Sequence, residues 1–411
     1  METTSKLWNR DFTLLIIGQI ISIFGNMVLS FALPLYILYI SGSASLFGLV
    51  LGLTNIPLLI MSPIGGMIAD RFKKQRVMFW LDATTTMLIL AYIAASGFVT
   101  AILPIVIVKL MALNAIQGVY MPAVSSSVPL LATGEKLVPA NAVVNLINSL
   151  SGMAGMAIAG ILFAEFGLFP ILAVSAVCFA ITAVMDLFIR VPFKPQDSSG
   201  GIIKIVKGDM RQSAQFMMKK TIILKCAAIA FLISVTLMSM IMVGIPVFVT
   251  QYLDMGMEFV GVSQSVMMAG GIVGGIVTGM LGSKLKISNT YLPIMISGLA
   301  MLPIGLAFLL NLPSFVIYVV LTAACALALA ALTVANIQVV SLIQKETPTE
   351  LTGKVMSIVV MLPFLANALG QFVYGFIFEY FTTVPYLIVF VTVAMVVVIA
   401  MFTRKSIVAY S

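Results

Sequence analysis

The 411-residue sequence contains no histidine, which removes the commonest metal ligand and the usual proton switch near neutral pH. Its three cysteines, Cys178, Cys226 and Cys325, stand singly in or beside apolar runs and read as small packing residues. No disulfide, metal site or cofactor is expected. Charge is scarce as well, at 9% of residues, and no acidic dyad or nucleophile-base set suggests an enzyme. What fills the chain is apolar: 61% of residues are hydrophobic, against about 45–50% in soluble domains. With a mean hydropathy of +1.17, this is a membrane protein.

A hydrocarbon core about 30 Å thick needs about 20 helical residues to cross it. Twelve runs qualify: 12–40, 45–69, 77–97, 102–130, 140–164, 168–189, 222–250, 259–283, 291–310, 314–341, 355–379 and 384–403. No alternating barrel pattern competes, so the fold class is an all-α integral membrane protein. The first run is too long for a cleavable signal and reads as the first span. Basic residues in short loops stay on the cytoplasmic side. Twelve spans with both termini cytoplasmic place 21 of the 22 Lys and Arg residues in inner segments, Lys109 being the exception. The outer loops hold four acids, Glu165, Asp254, Glu258 and Glu379, and no base. The net charge of +8 therefore reflects orientation against an anionic inner leaflet, not nucleic-acid binding.

The halves repeat. FALPLYIL (31–38) matches VGIPVFVT (243–250), setting Pro34 on Pro246, and GGMIAD (65–70) matches GGIVTG (274–279). Gly155, Gly160 and Pro170 recur 215 residues later as Gly370, Gly375 and Pro385. These matches predict a six-helix bundle over 1–190, a linker over 191–221 carrying an amphipathic helix, and a second bundle over 222–411. The paired prolines each remove a helix hydrogen bond and predict symmetric bends.

Polar side chains at mid-span are costly unless they face a cavity or a partner. Gln19, Ser22, Asn26 and Ser30 recur at helical spacing on one face of the first span. Asn114 and Gln117, Asn145 and Asn148, Asn336, and Asn367, Gln371 and Tyr374 complete the candidate substrate cavity. The competing reading makes these amides interhelical hydrogen bonds. Neutral amides and abundant Met suit an amphipathic or apolar solute. Lys109 and Asp82 are the candidates for coupling. Snorkelling to the outer interface competes for Lys109, and a salt bridge to the nearby basic loop competes for Asp82. Asp186, one turn before Arg190, is expected to pair with it.

Five charged residues, Asp70, Arg71, Lys73, Lys74 and Arg76, crowd into GGMIADRFKKQRVM (65–78) after the second span. With twelve spans in two parallel halves, this loop resembles the signature of the major facilitator superfamily, Gly66, Asp70, Arg71 and Lys74 taking the matching positions. Lys73 stands where many members have a second glycine. SGSASLFGLV, Asp82 and QKETPTELTGKVMS are similar to the bacterial drug, macrolide and siderophore exporters. Asn114 stands at the Arg of an R-x-x-Q-G pattern, and GMAIAG (155–160) departs from G-P-x-x-G-G at Met156 and Ala159.

The resemblance implies a secondary transporter in the inner membrane, a monomer exporting a hydrophobic or amphipathic small molecule by proton antiport and rocker-switch alternating access. It also implies a conformational latch of Gly66, Asp70, Arg71 and Lys74 against the start of the eleventh span near Gly353 and Lys354. A facilitator or symporter importing a small neutral solute is the alternative, and a non-transporting receptor or scaffold stands as the reading from another class.

Overall fold

The structure, a computed structural model, describes residues 8–95, 102–132, 136–192, 210, 212, 213, 215–281 and 287–408. Most of the expected linker helix and the side chain of Asp70 lie outside the described residues, as do the surroundings of Gly353. In a solvent that offers no hydrogen bonds, a spanning segment must satisfy its backbone internally, and these apolar runs do so as helices. Among the described residues, twelve are long and apolar enough to cross a membrane. They are α1 (Arg10–Ser41), α2 (Ala44–Arg71), α3 (Lys74–Ala95), α4 (Ile102–Leu131), α5 (Leu137–Phe166), α6 (Leu168–Phe188), α7 (Thr221–Tyr252), α8 (Met257–Leu281), α9 (Ile287–Leu309), α10 (Ser314–Glu346), α11 (Thr349–Tyr380) and α12 (Pro385–Val408).

Local chemistry sets the helix ends. Asn9 caps α1, its Oδ1 accepting from the Phe12 backbone N–H at 2.8 Å while its Nδ2 donates to the Leu131 carbonyl at the end of α4. The turn from α5 to α6 passes through Gly167 at φ +72°, a conformation that other side chains resist. The repeat-related prolines behave differently from each other. Pro34 lies inside an uninterrupted α-helix, whereas Pro246 is followed at once by a π-helical turn, Phe248–Tyr252. A second π turn, Ser234–Met238, interrupts α7 closer to its start.

The chain divides into two compact units, residues 1–37 with 54–202 and residues 38–53 with 203–411. The boundary inside the linker follows the repeat; the assignment of 38–53 to the second unit does not. That segment, the end of α1 and the start of α2, is held by contacts to α7 and α11. Gln251 Nε2 donates to the Gly42 carbonyl at 3.0 Å. Glu379 Oε2 accepts from the Ser43 hydroxyl and the Ser45 backbone N–H, each at 3.1 Å, at the positive end of the α2 dipole. Glu379, one of the four outer-loop acids, is thus engaged at an exposed position. A Cβ on Gly48 would overlap the Gln371 carbonyl and approach the backbone of Gly375.

In the first unit α3 packs along α6, and at its basic end Phe12, Leu15, Met78, Tyr120 and Val124 share a fully buried cluster. In the second unit the closest pairing is α8 on α10, where Gly270 and Gly274 sit against the carbonyls of Ala326 and Ala330. Lipid tails are as apolar as leucine, so this small-residue contact replaces the hydrophobic effect as the source of cohesion. A Cβ at either glycine would overlap those carbonyls, whereas one on Gly275 meets nothing within 4 Å. Gly274→Val is therefore expected to destabilise the protein by about 1–3 kcal/mol through overpacking, read as a lower thermal unfolding temperature in detergent. Gly275→Ala should leave that temperature unchanged, and equal effects of the two would show that the α8–α10 contact is not the tight one.

Candidate functional site

The polar residues of the first unit fall into two groups. Along α1 the predicted face runs from a buried end to an open one: Gln19 and Ser22 are buried, Asn26 is half-buried and Ser30 is exposed. Gln19 Nε2 donates to the Tyr120 hydroxyl of α4 at 3.0 Å, and Ser22 bonds the same hydroxyl. Tyr120 was not among the expected site residues; no periodicity in α4 distinguishes it from a packing aromatic. Asp82 of α3 and Asp186 of α6 are buried in the same unit, 2% and 3% exposed. Neither pairs as expected. Among the described residues no Lys or Arg nitrogen lies within 4 Å of either carboxylate.

The second group surrounds Lys109. Its ammonium lies 4.2 Å from the centroid of the Tyr92 ring of α3, and the residue is 5% exposed. The Nζ has no hydrogen-bond partner among the described residues. It does not snorkel; its stem turns inward, onto an aromatic wall that Tyr36 and Phe163 extend. Asn114 is half-buried and spends its amide on the Leu110 carbonyl of its own helix at 3.1 Å. Gln117 and Asn148 are half-buried and Asn145 is exposed.

In the second unit the candidates separate. A cavity of about 240 Å³ opens between α7, α9, α10 and α11, and Asn336 lines it together with Ser234 and Thr333. The rest of its wall is apolar, including Met238, Ile294 and Leu329. The π turn Ser234–Met238 forms one side, so the extra residue in that turn shapes the cavity. Asn367 and Tyr374 do not line it. Ser239 Oγ of α7 lies 2.9 Å from Asn367 Oδ1, and the Tyr374 hydroxyl bonds Thr392 of α12 at 2.7 Å. Both were expected in the cavity; each instead ties α11 to a neighbour, because a buried hydroxyl or amide takes the nearest partner. Gln371, one turn before Tyr374, is buried. Gly66, Arg71 and Lys74 close α2 and open α3, Lys74 being buried with its Nζ on the Ala69 carbonyl at 3.0 Å. Ser234 and Thr333 carried no sequence signal, since single hydroxyls are common in spans.

A buried ammonium without a hydrogen-bonded partner costs stability, and replacing such a group by an apolar one of similar shape is often neutral or stabilising by about 1–4 kcal/mol. Lys109→Met is thus expected to hold or raise the thermal unfolding temperature in detergent while altering activity. A clear drop would mean that the contact with Tyr92 outweighs the burial cost.

Known proteins bear on this arrangement. The Major Facilitator Superfamily profile matches residues 15–371. Macrolide efflux protein A of Streptococcus pyogenes is 23% identical over 193 residues, 45% of this chain and 46% of that protein. The lysophospholipid transporter LplT of Serratia proteamaculans is 31% identical over 196 residues, 47% of this chain and 46% of its own. The chain thus spans about half the length of the curated relatives it matches. Among solved structures, a variant of the nucleoside transporter NupG superposes with a TM-score of 0.79 at 15% identity, covering 97% of this chain and 100% of that one. A bacterial homologue of the lysosomal transporter Spinster gives 0.73 at 13% identity, covering 99% of each. With twelve helices long and apolar enough to cross a membrane and a profile match over most of its length, the chain belongs to the Major Facilitator Superfamily.

Proposed function

We propose that this transporter exports an amphipathic or apolar small molecule across the inner membrane of the cell, in exchange for protons, by alternating access. The observation that carries the substrate class is the cavity of the second unit, where three neutral polar groups, Ser234, Thr333 and Asn336, sit in an otherwise apolar wall. A site of this kind orients a largely apolar solute by a few hydrogen bonds. It has no Lys or Arg in its wall, which a phosphate or dicarboxylate would need. Two relatives support the same class, since macrolides and lysophospholipids are both amphipathic. Efflux in one of those names supports the direction. The distribution of Lys and Arg supports an orientation with both termini inside.

Cells with and without the protein, loaded with fluorescent cations, labelled macrolides and labelled lysophospholipid, test the reading. Lower accumulation of at least one of these, reversed by an uncoupler, is expected. Unchanged accumulation across the panel would remove export of amphipaths, and efflux that persists under uncoupler would remove proton antiport. One hydrogen bond to bound solute is worth about 1 kcal/mol, so Asn336→Ala should raise the apparent KM roughly fivefold with membrane abundance unchanged. Tyr374→Phe, which touches only the bond to α12, should leave KM alone. For the signature loop, Asp70→Asn is expected to slow transport without changing KM; wild-type turnover in that variant would remove the latch.

A further inference from the structure

The π turn Ser234–Met238 contributes Ser234 and Met238 to the cavity wall of the second unit. Such turns are rare and occur mostly singly inside α-helices. Here the groups that hold it can be named. The Ser239 backbone N–H closes the turn on the Ser234 carbonyl, and the Ser239 hydroxyl reaches the same oxygen at 2.8 Å. An ordinary helical back-bond spans three or four residues, as from Thr236 Oγ1 to the Leu232 carbonyl at 2.6 Å. That of Ser239 spans five.

In an α-helix the Ser239 N–H would go to the Val235 carbonyl. That carbonyl lies instead against α11 at Gly370, where a Cβ would overlap both it and the Ser239 hydroxyl. Asn367, one turn before Gly370 on α11, meets the same hydroxyl, its Oδ1 at 2.9 Å and its carbonyl at 3.1 Å. A glycine that leaves room and an amide that grips thus form a seat for the turn.

The first unit supplies a comparison. The sequence match that sets Pro34 on Pro246 sets Met27 on Ser239, and the one that sets Gly155 on Gly370 sets Gly152 on Asn367. Gly155 packs on Met27 as Gly370 packs on Ser239. With neither hydroxyl nor amide at these places, α1 runs as an uninterrupted α-helix from Arg10 to Ser41. The contact is kept, and the π turn accompanies only the polar pair.

We propose that Ser239 and Asn367 are positioning residues for this cavity: they hold the π turn, fix Ser234 in the wall, and so set which solutes the cavity takes. Loss of the turn would rotate one part of α7 against the other by about 100°, the angle of one helical residue. Ser234 could then no longer share a wall with Met238. The selectivity role rests on the reading of the cavity as the solute site, while the hold on the turn stands independently of it.

Two measurements on the full chain separate these roles. Crystal structures test the turn, with no solute needed. Loss of the π turn in Ser239→Ala or in Asn367→Ala is expected, with Ser234 turned out of the wall; a turn unaltered in both would overturn the positioning role. Transport tests selectivity. For each of the labelled macrolides, labelled lysophospholipid and fluorescent cations that the wild-type protein exports, both variants should shift the apparent KM roughly fivefold with kcat held. Thr403→Val, which removes an ordinary back-bond to Ile399 on α12, should change neither constant. An unchanged KM in both variants, with or without a fall in kcat, would overturn the selectivity role. Export of none of these solutes by the wild-type protein would overturn that role together with the cavity reading, the crystal structures still deciding what holds the turn.

Discussion

Hydrocarbon offers no hydrogen bonds, and every feature of this protein follows from where its polar groups find partners instead. The backbone satisfies itself by forming helices. The lone hydroxyls within spans mostly turn back onto carbonyls three or four residues earlier, as Thr85, Ser127, Ser265, Thr278 and Thr403 do. Others bridge helices, as Ser263 with Thr322 and Ser175 with the Gly25 carbonyl. Against that background the groups left without a hydrogen-bond partner carry information. Lys109 Nζ and one oxygen each of Asp82 and Asp186 are among them, and all three are ionisable. A membrane protein that retains such groups at a cost to stability retains them for what they do.

Cohesion between helices has the same origin. With no water to exclude, contact must come from close approach, and close approach requires glycine where a backbone meets a backbone. Gly270 and Gly274 provide it between α8 and α10, and Gly65 and Gly118 between α2 and α4. Gly48 and Gly375 provide it where the segment 38–53 joins α11. That last contact combines two kinds of force. The glycines bring α2 and α11 together, and the Glu379 carboxylate then lies against the exposed N–H groups at the start of α2.

Spans and family were legible in the sequence, because the first depend on the length of single segments and the second on a short motif. Partners were not. Asp186 was expected on Arg190, one turn away; no such ion pair forms among the described residues, where α6 packs along α3. Tyr374 was expected to face a cavity with Asn367 and Gln371, and the helical period does put these residues close in azimuth. The bond to Thr392 shows that the face they share looks partly at α12. A period says which residues share a face, and only the neighbouring helix says what that face meets. The cavity beside Asn336 escaped for a related reason, since its shape depends on a π turn that no residue in Ser234–Met238 announces.

Buried carboxyls bear on how a conformational change and proton movement can be tied together. Asp82 and Asp186 are each buried with one unpartnered oxygen, a setting in which an ionised carboxylate is costly. Release becomes favourable only when the surroundings change, either by admitting water or by bringing a base within reach. A proton that leaves one conformation more readily than another shifts the balance between them by that difference in affinity, and by no more. Because linkage is reciprocal, whatever drives the conformational change must also change the hold on the proton. A solute bound more tightly in one of the two conformations would therefore exchange against protons without touching either carboxyl. Nothing in that coupling requires an arginine in α4, where Asn114 stands.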